Sequence, residues 1–139
     1  MRVVLDASVA IKWVIRDPDF EPNVDKALAL LRAIRARKIE AIEPPHWTIE
    51  ILAVVARMRP QRVAFVLGML AALPFRETTG FSCQRRAADI AIRLNHHLFD
   101  TLYHAVAEEE GAMLVTADEV YFGKAGHLGA IEQLADFSI

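Results

Sequence analysis

Four carboxylates occupy positions from which they could act together: Asp6, Glu50, Asp100 and Asp118. Asp6 follows the apolar run Val3-Val4-Leu5 and precedes the mostly apolar stretch 9–15. A carboxylate between a buried strand and a buried helix is costly when ionised unless it is hydrogen-bonded or holds a cation. Asp118 lies just past Met113-Leu114-Val115, and Asp100 opens the helical pattern carried by Leu102 and Val106. Glu50 interrupts the almost wholly apolar stretch 47–56, and no basic residue stands three or four positions away to pair with it. Four acids on one crevice repel one another, and a hard divalent cation with oxygen ligands relieves that repulsion. Mg2+ takes one or two carboxylates, keeps several waters and leaves room for a substrate phosphate. Each acid also has a simpler role. Asp6 and Asp100 suit helix caps, Asp118 a turn, and Glu50 a narrow exposed strip of its helix.

The elements that must position these residues alternate between strand and helix. Short apolar runs mark strands at 3–5, 41–42, 75–78, 113–115 and 131–134. Helical spacing marks 9–15, 24–37, 47–56, 63–73, 82–95 and the segment ending at Glu108-Glu109-Glu110, where Gly111 accepts a left-handed cap. Residues 120–124 suit a helical turn, and 16–23 reads as a loop. Such alternation predicts an α/β fold, a three-layer α/β/α sandwich with a mainly parallel central sheet. Asp6 and Asp118 then lie at carboxyl ends of strands, where open α/β sheets bind their ligands. Lys12 could reach a phosphate or form the solvent end of its helix. Arg32, Arg35, Arg37 and Lys38 suit a solvated helix terminus, and Arg85 and Arg86 an exposed face.

At 139 residues, 1–139 reads as a single domain. The formal charge of −2 argues against a protein that holds nucleic acid by bulk charge alone, so contact with it must be local and assisted, for example by a metal ion. A lone cysteine, Cys83, excludes an internal disulfide and a thiol cluster for zinc. The opening residues do not read as a signal peptide. The longest uncharged stretch, 63–75, falls short of the ~20 apolar residues of a membrane span. A soluble, cytoplasmic chain is expected. Mean hydropathy of +0.24 is high for such a chain and suggests apolar surface, centred on 63–73, for a second copy or a partner.

At this point the chain resembles the PIN-domain ribonucleases, the toxin half of VapBC toxin–antitoxin pairs. The resemblance rests on Val4-Leu5-Asp6-Ala7-Ser8, on Pro45 followed by Glu50, on Phe99-Asp100-Thr101-Leu102-Tyr103 with Ala105 and Ala107, and on Leu114-Val115-Thr116-Ala117-Asp118. It implies a Mg2+- or Mn2+-dependent endoribonuclease that forms a homodimer and is inhibited by a cognate antitoxin. By the same resemblance Asp6 and Asp100 are metal ligands, Glu50 and Asp118 complete the catalytic set, and Ser8 supports it. Two positions depart from the family pattern. Ala53 stands where many relatives have asparagine, and His104 where an apolar residue is usual. Two alternatives stay open: a zinc site on the shared helical face of His97, Asp100 and His104, and a non-cleaving PIN-like module that binds RNA or protein. A phosphoacceptor domain lacks its acidic pair and terminal lysine here.

Overall fold

Val3, Val4 and Leu5 are fully buried, and the strand they form, β1 (Arg2–Leu5), lies at the centre of a five-stranded sheet. The computed structural model describes every residue except Pro18 and Phe20, so part of the expected loop at 16–23 lies outside the described residues. The sheet runs β3 (Phe75–Glu77), β2 (Glu40–Glu43), β1, β4 (Met113–Thr116), β5 (Ile131–Gln133), with every neighbouring pair parallel. Parallel strands covered on both faces read as unbroken apolar runs, which is why β1 and β4 stand out in the sequence. From β1 the chain builds outward to β2 and β3, then returns to place β4 and β5 on the other side. The carboxyl ends of β1 and β4 therefore flank the switch point, the crevice where such sheets take ligands.

Seven α-helices among the described residues complete the expected α/β/α layering: α1 (Ala7–Ile11), α2 (Val24–Arg35), α3 (His46–Met58), α4 (Val63–Ala72), α5 (Phe81–Leu94), α6 (Leu98–Glu110) and α7 (Glu119–Ala125). The first is shorter than its apolar pattern suggests. Lys12, Trp13 and Val14 donate to carbonyls three residues back, so the chain tightens into turns after Ile11. Trp13 then anchors the turn, donating from Nε1 to the Ala27 carbonyl at 2.8 Å and meeting Trp47 edge-on at 6.1 Å. Helix α2 ends before Arg37, which takes a left-handed φ of 56° while Lys38 N–H bonds back to Ala33. Gly111, at φ 61°, closes α6 as expected and turns the chain straight into β4.

Helices α3 and α4 are less buried than their composition implies. Trp47, Ile51 and Val55 face inward from α3, but Ile49 is 64% exposed; α4 buries Val66 and Leu70 and leaves Phe65 59% and Leu67 48% exposed. The anticipated apolar surface exists. Among the described residues no helix is long and apolar enough to cross a membrane. Burial separates the two kinds of leucine sharply. Leu114→Ala, inside β4, should cost about 2–5 kcal/mol, whereas Leu67→Ala should stay within about 0.5 kcal/mol; urea unfolding midpoints of the two variants check this.

Candidate active site

Asp6 continues β1 by one residue, since its N–H donates to the Val115 carbonyl at 3.0 Å. Its side chain then turns onto two donors. Oδ1 accepts the Ser8 N–H at 3.1 Å, and Oδ2 accepts the Thr116 hydroxyl at 2.7 Å. Asp6 is thus the N-cap of α1, as its simpler role required, and each oxygen still has lone-pair capacity. The same stitching joins both strand ends: Ala117 N–H donates to Ser8 Oγ at 3.1 Å, and Asp118 N–H to Thr116 Oγ1 at 3.0 Å. The Asp118 side chain caps α7 by accepting Tyr121 N–H on Oδ1 at 3.0 Å.

Asp100 is not a cap. His97 holds the N-cap position of α6, and Asp100, within the first turn, brings Oδ2 to 2.7 Å from Nε2 of His96. Lys124 Nζ lies 3.2 Å from the other ring nitrogen, Nδ1. An ammonium only donates, so Nδ1 accepts, and His96 donates from Nε2 to Asp100. Glu50 is oriented by α6. Tyr103 donates its hydroxyl to Glu50 Oε2 at 2.5 Å. The expectation that no basic residue stands near Glu50 on its helix is corrected by His46, whose Nε2 is 4.0 Å from Oε1. That ring is committed elsewhere: Nε2 donates to the Phe99 carbonyl at 2.9 Å, and its face lies 4.6 Å from Tyr103.

Burial pushes the Asp6 carboxyl up to about 6 despite its bonds from Thr116 and Ser8, and the charges of Asp100 and Glu50 push it further the same way. Those three acids therefore share one electrostatic neighbourhood. Asp118 is not among the charges that bear on Asp6; it is tied to this neighbourhood only by its N–H on the Thr116 hydroxyl, its carboxylate being turned onto α7. An opening of about 550 Å³ lies beside it, walled by Ser8, Lys12, Val54, Arg57 and Val120 among others. Among the described residues no three His, Cys, Asp or Glu side chains close into a complete metal cage.

Several expectations need correction. His104 is fully buried, with Nδ1 3.0 Å from the Tyr121 hydroxyl and Nε2 2.7 Å from the Gly129 carbonyl. Both nitrogens are engaged, so the zinc set of His97, Asp100 and His104 does not assemble. Lys12 is neither solvent-facing nor open to phosphate, because it is buried against Glu21 at 2.7 Å. Arg86 is not simply exposed; it grips Glu108 at 2.6 Å and ties α5 to α6. Sequence reasoning missed Glu43, the last residue of β2. It is fully buried, accepts Leu5 N–H on Oε1 at 2.9 Å, and has no partner at Oε2. Burial, with the Asp6 charge adding, holds it well above the usual carboxylate range. An acid directly before Pro44-Pro45 at a strand end was its only signal.

The raised Asp6 value has a definite sign. The folded state holds the proton more tightly than the unfolded chain, whose value is 3.8, so stability from this group is greatest below about pH 4. It falls as pH rises to about 6, by about 3 kcal/mol in all. Urea unfolding in chelator should show this decline, and Asp6→Asn should flatten it.

With this geometry in hand, comparison with known proteins is specific. A family model described as "PIN domain" matches residues 3–128. No curated protein matches the chain by sequence. Among solved structures, VapBC2 from Rickettsia felis, bound to a DNA fragment from its promoter, superposes with a TM-score of 0.69 at 14% identity, covering 96% of this chain and 98% of that one. FitAcB from Neisseria gonorrhoeae gives 0.66 at 16% identity, with 97% and 99% covered. PAE2754 from Pyrobaculum aerophilum gives 0.62 at 20%, with 97% and 85% covered. A match over nearly the whole chain, with the parallel sheet and its strand-end acids in place, makes this protein a member of the PIN domain family.

Proposed function

We propose that this chain is a Mg2+- or Mn2+-dependent endoribonuclease, the toxin of a toxin–antitoxin pair, acting in the cytoplasm on RNA phosphodiester bonds. The observation that carries the proposal is Asp6: a carboxylate only 7% exposed at the end of the central strand, facing Glu50 and Asp100, with no lysine or arginine paired to any of the three among the described residues. Solved neighbours of the fold are described as VapBC2 bound to a DNA fragment from its promoter, which bears the pair name of the sequence resemblance, and FitAB bound to a DNA fragment. That supports an antitoxin partner here.

The donor set fits a hard cation. All four acids offer oxygen, and the neighbourhood of Asp6 lacks a compensating positive charge. A hard cation of this kind takes one or two carboxylates and keeps its waters. Asp6 and Asp100 would hold it. When bound, such an ion supplies Lewis acidity at a phosphoryl oxygen and lowers the pKa of water. The chain supplies orientation. Tyr103 fixes Oε2 of Glu50, leaving Oε1 to hold the attacking water; His96 fixes Oδ2 of Asp100; Asp118 lines the cleft through which RNA enters. Ala53 does not leave Glu50 unsupported, because the Tyr103 hydroxyl takes the place of a helix partner. This favours cleavage over a non-cleaving module.

Water attack leaves the ribose 2′-hydroxyl uninvolved, so products should carry 5′-phosphate and 3′-hydroxyl ends. Asp6→Ala, Asp100→Asn and Glu50→Gln should each lower cleavage by about 100-fold or more, without additive effects. The assay incubates folded protein with structured RNA in Mn2+ or in chelator and maps end groups. Activity that survives chelator or Asp100→Asn, or 2′,3′-cyclic phosphate ends, would sink the proposal.

We also assign the exposed α4 face to a homodimer. Phe65 and Leu67 stand outward from it beside Arg62, which lies 4.9 Å over the Phe65 ring. Leu67→Glu should reduce the mass in light scattering to one chain. An unmodified protein of one-chain mass would end this assignment.

A further inference from the structure

A second opening, of about 400 Å³, lies beside the carboxylate site and is lined by Asn95, His96, His97, Val120 and Lys124. No acid contributes to its wall. Val120, 67% exposed, lines this opening and the one next to Asp118, so the two meet at its side chain. The lining is therefore of opposite character to the site it adjoins.

Lys124 is the cation of the group. Its Nζ donates to the Asn95 carbonyl at 3.3 Å and to His96 Nδ1 at 3.2 Å. Both acceptors are neutral, and among the described residues no carboxylate stands within ion-pair distance of Lys124. Some cations are spent on acids, as Arg2 on Glu40, Lys12 on Glu21, Arg76 on Glu110 and Arg86 on Glu108; Lys124 is the one that lines this opening. Lys124 thus carries an uncompensated charge, anchored by two bonds, with a third N–H remaining. The His97 ring, 5.6 Å from that of His96, makes no hydrogen bond among the described residues. An anchored ammonium with further N–H donors beside it is a receptor for a single anion.

We propose that this opening is a phosphate subsite on the RNA path, holding the backbone phosphate that flanks the one at the carboxylate site, with Lys124 as its principal ligand. The proposal rests on the ribonuclease assignment above and specifies how that site grips its substrate. The occupant is a polymer because a single exposed charge pair contributes little by itself. A free anion would be held weakly, whereas a neighbouring phosphate on a strand already engaged at Asp6 and Asp100 arrives at high effective concentration. The subsite also touches the catalytic set: the Lys124–His96 bond fixes the tautomer that His96 presents to Asp100.

Binding of a short single-stranded RNA to the full chain, read by fluorescence anisotropy with Ca2+ in place of Mg2+ so that a hard cation fills the carboxylate site while turnover is suppressed, tests this. One methylphosphonate linkage, neutral where phosphate is charged, is moved along the RNA. At one linkage it should weaken binding to the parent several-fold. Lys124→Gln should weaken all-phosphate RNA by a similar factor, become indifferent to that linkage, and lower the salt slope by about 0.7; Lys124→Arg should restore all three. Unchanged affinity and slope in Lys124→Gln would overturn the subsite, as would additive effects of variant and linkage, absence of RNA binding, or displacement of RNA by micromolar inorganic phosphate. Lys124-dependent binding by a protein that never cleaves would sink the ribonuclease assignment and leave the subsite standing. Cleavage with Lys124-independent binding would do the reverse.

Discussion

Everything in this fold is arranged around the burial of one carboxylate at the end of the central strand. Asp6 lies where β1 and β4 part, the place where a parallel sheet leaves unpaired backbone groups and an open crevice. Water would solvate its charge far better than this setting does, and the side chain compensates by accepting from Ser8 and Thr116. Those two residues are also what joins the strand ends, through Ala117 and Asp118. The constraint that holds the acid in place and the constraint that closes the sheet are the same set of bonds.

A second regularity follows from the partners. Each of the four acids is oriented by uncharged donors: backbone N–H groups at Asp6 and Asp118, hydroxyls at Asp6 and Glu50, a neutral imidazole at Asp100. Guanidinium and ammonium partners are reserved for acids elsewhere, such as Glu108, Glu110 and Glu21. Orientation without neutralisation leaves the negative potential of the crevice intact. Burial and mutual repulsion then raise Asp6, which is the state a cation relieves.

The strands and the strand-end acids were legible because a parallel sheet writes its centre as unbroken apolar runs, and Asp6 and Asp118 directly follow two of them. Glu50 was legible as an acid in an apolar helix, although α3 turned out to expose Ile49. What fed the site from a distance was not legible. Tyr103 meets Glu50 across two helices, and Lys12 meets Glu21 across a loop. His96 was passed over for a subtler reason. It precedes α6, and a helical-face argument counts only residues on the helix, so His97 and His104 were grouped with Asp100 instead. His96 nonetheless stands four residues before Asp100, a spacing present in the sequence; the chain leaves α5 through Asn95 at a left-handed φ of 49°, and His96 Nε2 lies 2.7 Å from Asp100 Oδ2.

Glu43 carries a consequence for the backbone beside the site. In the ladder between β1 and β2 the paired residues run from Arg2↔Glu40 to Val3↔Ala41, and the N–H of Leu5 is taken by the Glu43 carboxyl rather than by a strand carbonyl. The last amide before Asp6 is thus guarded by a side chain. Local opening there requires rotation of one buried acid, not separation of two strands, so the protection of the Leu5 amide against hydrogen exchange is decoupled from that of the sheet it belongs to.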